Sequence, residues 1–98
     1  MKTQIGKRVI VRSDRAGVFY GTLTAKEGDE VQVTNARKLH YWDGAASIEQ
    51  LAVDGVSKPL NCRFTVYVEE LTIMQVIQIN TCTKKAIKNI ENVEIWKK

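Results

Sequence analysis

Lys7-Arg8-Val9-Ile10-Val11-Arg12-Ser13-Asp14-Arg15-Ala16-Gly17-Val18-Phe19-Tyr20-Gly21-Thr22-Leu23-Thr24-Ala25 reads as two strands and the turn that joins them. β-Branched residues fill the first run, and Ser13 to Gly17 supplies the polar groups and the glycine that a turn uses. A second turn, Lys26-Glu27-Gly28-Asp29, leads into Glu30 to Asn35 and onward into a basic aromatic stretch. Residues 1 to 42 therefore predict a three-stranded antiparallel meander.

Beyond the meander, Ser47-Ile48-Glu49-Gln50 matches a capping box, in which the serine hydroxyl accepts a backbone N–H and the glutamine reaches back. A helix of two turns follows, with Ile48, Leu51 and Ala52 on one face and a stop at Asp54-Gly55. Val56 to Asn61 is a connector, and Cys62 to Val68 alternates apolar and polar residues as a half-buried strand does. Glu69-Glu70 interrupts it, and the β-branched content of Leu71 to Ile79 predicts another strand. Thr83 caps a second helix, with Ala86, Ile87 and Ile90 inward and Lys84, Lys85 and Lys88 outward, and Val93 to Trp96 forms a last strand. The expected fold is a single α+β, β-rich domain over residues 1–98, a bent antiparallel sheet or partial barrel with two short helices.

Ninety-eight residues give a modest core, so self-association would add useful buried surface. The net charge of +4 is uneven: residues 1 to 42 hold eight Lys/Arg against four Asp/Glu, and residues 43 to 98 hold seven of each. That excess favours a small anionic ligand over a long polyanion. Cys62 and Cys82 stand twenty positions apart with a single histidine, so reduced thiols are expected, with no zinc site. No apolar run approaches the roughly 18 residues of a membrane span, and the first residues lack a leader pattern, which points to the cytoplasm.

A nucleophile beside a base, a carboxylate pair of split function, a phosphate-binding glycine loop and a metal cluster are all missing from the pattern, and no enzyme or cofactor is expected. Binding chemistry is present instead. Arg37-Lys38-Leu39-His40-Tyr41-Trp42-Asp43-Gly44-Ala45-Ala46-Ser47 brings cations, flat rings, a glycine and a helix start together. Guanidinium groups suit phosphates, rings suit bases, and backbone N–H groups at a helix start suit an oxyanion. The same residues also fit a plain strand, with Leu39 and Tyr41 facing the core and Lys38 and His40 solvated.

The runs Val11 to Leu23, Ala36 to Ser47, Leu51 to Pro59, Asn61-Cys62-Arg63-Phe64 and Thr81-Cys82-Thr83 together resemble a family of small bacteriophage proteins. The resemblance implies an anti-defence sponge, which sequesters a cyclic nucleotide signal of the host's CBASS immunity without cleaving it. It supplies no binding residues. From this chain's own chemistry, Arg15 and Arg37 are expected to pair with phosphates, Tyr20 and Trp42 to stack on bases, and Gly44, Ala45 and Ser47 to complete the oxyanion contacts.

The expected ligand is a cyclic dinucleotide such as 3'3'-cyclic GMP–AMP, captured in the host cytoplasm. Nanomolar capture needs about 12 kcal/mol, more than two stacked bases and two charge-assisted phosphate contacts leave after association costs. A pocket between copies of the chain is therefore expected. A nucleic-acid-binding module and a host-protein-binding protein anchored on Tyr41, Trp42 and Tyr67 are the rival expectations.

Overall fold

A computed structural model describes residues 4–98; residues 1–3, on which part of the leader expectation falls, lie outside the described residues. The elements in order are β1 (Arg8–Ser13), β2 (Gly17–Glu27), β3 (Glu30–Tyr41), α1 (Ile48–Asp54), β4 (Arg63–Phe64), β5 (Val68–Ile73), β6 (Val76–Thr81) and α2 (Lys84–Asn92), with one 3₁₀ turn at Pro59–Asn61. No helix among the described residues is long and apolar enough to cross a membrane.

The meander forms as the sequence predicts, with Ile10 opposite Tyr20 and Tyr20 opposite Arg37. β5 then pairs with β3 and β6 with β1, both antiparallel, so consecutive strands join opposite sides of the meander. Their short connection bends the sheet into a partial barrel. Asp14 N–H donates to the Gln75 carbonyl at 2.9 Å and Val76 N–H to the Asp29 carbonyl at 2.9 Å, which ties this connection to both meander turns.

Side chains alternate along each strand, so the sheet has two buried faces. Val9, Val11, Leu23, Val31, Val33 and Ile73 make one core within the curve of the sheet. Ile10, Tyr20, Leu39 and Phe64 make the other, covered by Leu51 and Ala52 of α1 and Ala86 and Ile90 of α2. β1 serves both cores, which is why Val9, Ile10 and Val11 are all buried.

Both helices start at the predicted caps. The Ser47 hydroxyl accepts from Gln50 N–H at 3.1 Å and the Thr83 hydroxyl from Ala86 N–H at 3.1 Å. The Gln50 side chain reaches back to Ala46 N–H at 2.7 Å, one residue before the serine. α1 stops at Gly55, whose φ is +76° and where a Cβ would stand 2.3 Å from Asn89 Oδ1. Asn89 uses the space to pair with both the N–H and the carbonyl of Val56, each at 2.8 Å, so α2 holds the exit of α1.

Three predicted strands differ. Cys62 to Val68 keeps strand form at Arg63–Phe64 and again at Val68, where β5 begins, and Glu69-Glu70 lies inside β5. β5 exposes most of its side chains, so charge there carries little burial cost. Leu71 to Ile79 is cut by a turn in which Gln75 adopts φ +57° and Met74 accepts from the Ser13 hydroxyl at 2.7 Å. At the chain's end, Val93 to Trp96 contributes one parallel bridge, Ile95 to Phe64.

Candidate functional site

The residues expected to contact the ligand do not face one site, and the reason begins with Arg37. Its residue is 0% exposed. The side chain crosses from β3 to the end of α2, where Nη1 donates to the carbonyls of Ile90 at 3.0 Å and Val93 at 3.1 Å. Nε donates to the Thr65 carbonyl at 3.1 Å and Nη2 to the Phe64 carbonyl at 3.2 Å, while the guanidinium carbon lies 4.7 Å from the Tyr67 ring centre. Carbonyl oxygens left unpaired at a helix C-terminus attract a cation, so Arg37 closes α2 and is not available to a phosphate.

Tyr20 is likewise closed to a ligand. It is buried in the core under the helices, and its hydroxyl donates to Glu91 Oε2 at 2.6 Å, so no base reaches its ring. Trp42 and Ala45 are each half-buried against the same core. Gly44 has φ +93° and its carbonyl accepts from Ser57 N–H at 3.1 Å and Ser57 hydroxyl at 3.2 Å. A Cβ on Gly44 would stand 2.5 Å from Ser57 Oγ, so the glycine serves this close packing. The Ser47 hydroxyl is engaged as the α1 cap. Arg15 alone is well exposed, on the β1–β2 turn, where it lines an open groove at the end of the barrel with Phe19 and Met74.

A different surface gathers the chemistry those residues were expected to supply. β3 ends at Tyr41, which pairs in register with Arg63 of β4 after an irregularity between Leu39 and Tyr41. Such an irregularity re-aims side chains, and here Leu39 stays buried while Tyr41 is 52% exposed, contrary to its expected inward position. Trp96 N–H donates to the Phe64 carbonyl at 2.8 Å, which lays the C-terminal segment alongside β4. An open groove of about 450 Å³ results, lined by Tyr41, Asp43, Leu60, Asn61, Arg63 and Trp96, with Cys62 at its floor.

Within the groove the polar groups are oriented. The His40 ring stacks on Trp96 with centres 5.0 Å apart and planes 13° from parallel, and the Arg63 guanidinium carbon lies 5.6 Å from the Trp96 ring centre. Among the described residues Arg63 makes no ion pair, because the two formed are Arg8 with Glu91 and Lys85 with Asp54. Asn61 Nδ2 donates to Asp43 Oδ2 at 3.1 Å, and Asp43 N–H points to Cys62 Sγ at 3.5 Å. Partial burial pushes the Cys62 thiol up, and with it the cysteine stays protonated near neutrality. No group of three or more potential metal ligands occurs among the described residues.

Tyr41 belongs to the stretch singled out from sequence, and Arg63 sits on the polar phase of the Cys62 to Val68 alternation. That phase was the available signal for Arg63. Trp96 and Asn61 had none, because the contacts that bring them to Tyr41 are long-range. The family model described as "Domain of unknown function (DUF6948)" matches residues 6–90, a span that includes Tyr41, Asp43, Asn61 and Arg63. No curated protein and no solved structure matches the chain.

Proposed function

Because the chain belongs to the DUF6948 family, whose description assigns no activity, we propose a function from the groove and from the phage resemblance of the sequence: it binds and sequesters a cyclic dinucleotide without cleaving it. The carrying observation is the pairing in register of an exposed ring, Tyr41, with Arg63, an arginine that has no carboxylate partner among the described residues. Tyr41 offers a face to a base, and Arg63 offers its guanidinium fork to a phosphate. Trp96, fixed by His40, forms the adjoining wall.

In this reading the protein acts in the host cytoplasm as a phage anti-defence sponge for a signal such as 3'3'-cyclic GMP–AMP, and the host effector stays unactivated. Stacking contributes about 1–3 kcal/mol per base and a charged hydrogen bond about 1.5–3 kcal/mol. One open groove falls short of nanomolar capture once association costs of about 4 kcal/mol or more are counted. Leu60, 89% exposed at the rim, supports the remaining element of the proposal: a second copy of the chain covers the leucine and closes the groove.

Titration calorimetry of the full chain with c-di-GMP, 3'3'-cyclic GMP–AMP and c-di-AMP tests the proposal, followed by heat release and mass analysis of the ligand. The expected result is submicromolar binding of at least one compound, recovered intact. Absence of binding by the whole panel at micromolar protein overturns it, and recovery of a cleaved ligand replaces the sponge by an enzyme. The exposed apolar rim also favours a host-protein partner as a second reading, in which the chain retains that partner with no nucleotide present.

A further inference from the structure

Asp43 is out of place in a groove for an anion. Its carboxylate adds negative charge beside Arg63, and Arg63 makes no ion pair with it. Yet its position is fixed twice, through its N–H to Cys62 Sγ at 3.5 Å and through Oδ2, which accepts from Asn61 Nδ2 at 3.1 Å. Among the described residues Oδ1 holds no hydrogen bond, and a carboxylate is acceptor-only, so it is open to the N–H donors of a bound ligand. Asp43 lines the same groove as the exposed Tyr41 ring and Arg63.

Resting on the nucleotide reading above, we infer that Asp43 makes the groove selective for guanine. Guanine carries two adjacent donors on one edge, N1–H and the N2 amine, spaced to meet the two oxygens of a carboxylate. Adenine presents an unprotonated N1 at the same place, which sets lone pair against lone pair. The phosphate then lies toward Arg63, so donor and acceptor ends of the groove match the acceptor and donor ends of a guanylate. A doubly hydrogen-bonded base edge discriminates against the wrong base by about tenfold or more.

The test compares c-di-GMP, 3'3'-cyclic GMP–AMP and c-di-AMP on the full chain and on Asp43→Asn, whose fold is checked by circular dichroism. The amide keeps an oxygen for Asn61 and loses the second acceptor. The expected result is at least tenfold weaker binding of c-di-AMP than of either guanine compound, with the difference reduced to about threefold or less in Asp43→Asn. Equal binding of all three, or a preference that survives in Asp43→Asn, overturns the guanine assignment and leaves the sponge standing. Absence of binding by all three overturns both.

Discussion

Arg37 Nη1 donates to the Ile90 carbonyl at 3.0 Å, across 53 positions of sequence, and by that bond a strand residue ends a helix. Val93 N–H still bonds the same carbonyl at 3.3 Å, so the last turn of α2 is held from both sides. The guanidinium also fixes Phe64 and Thr65, and Phe64 carries the C-terminal segment through its bond from Trp96. The groove therefore rests on Arg37 without containing it.

Replacing Arg37 by alanine strips partners from the carbonyls of Phe64, Thr65, Ile90 and Val93 and opens a void in the core. The cost is expected to be about 3–5 kcal/mol, from buried carbonyls that lose a donor and from the void left by a large side chain. Arg37→Lys recovers little, because an ammonium cannot span acceptors placed for a planar fork. Urea denaturation reads both values; a loss below about 1 kcal/mol for the alanine variant would contradict the capping role.

The contrast between Arg37 and Tyr41 shows what the sequence could and could not convey. Turn residues, the two caps and strand alternation are local, and they located the meander, α1 and α2. Arg37 and Tyr41 both belong to a basic aromatic stretch, where composition advertises binding, but one is sealed under α2 and the other turned outward at a strand irregularity. Both outcomes depend on what packs from residues 63 to 96, which no local pattern encodes. Gln75 illustrates the same limit in the fold: a glutamine at φ +57° marks a turn that its residue type does not announce, so two strands read as one.

Alkaline conditions are expected to unfold the protein through two groups. Burial first, and then the nearby Glu91 charge, push the Cys82 thiol up from 9.0 to about 12. Burial and the hydrogen bond to Glu91 raise Tyr20 above its ordinary 10.0. Both are acids whose folded form keeps the proton longer than the unfolded chain does. The stability they confer is complete below pH 9 and is lost as pH climbs toward 12. Urea midpoints measured from pH 8 to pH 11 should fall, and the Cys82→Ala and Tyr20→Phe variants should each fall less steeply than the parent. Parallel curves for all three would refute the assignment.

Ligand affinity should follow the Tyr41–Arg63 groove and not Arg15. Tyr41→Ala and Arg63→Ala remove exposed side chains, so the fold is retained while cyclic dinucleotide binding weakens by about tenfold or more each. Arg15→Ala, at the other groove, is expected to leave it within about twofold. Calorimetry on the three variants distinguishes the sites, and a loss confined to Arg15→Ala would move the site to the barrel end.

Self-association should depend on Leu60. A side chain 89% exposed gains nothing in a lone copy, so Leu60→Asp is expected to change monomer stability by less than about 0.5 kcal/mol. In an assembly that buries it, the aspartate carries an unpaired charge into an apolar contact, which costs several-fold more than the leucine's lost burial. Sedimentation velocity should therefore show a smaller species for Leu60→Asp than for the parent. The proposed closure adds a dependence that an incidental association would not share: dinucleotide affinity should drop with the assembly, since the proposed second copy would cover the rim beside Tyr41 and Trp96. An oligomer that survives Leu60→Asp, or affinity that ignores its loss, places the interface elsewhere.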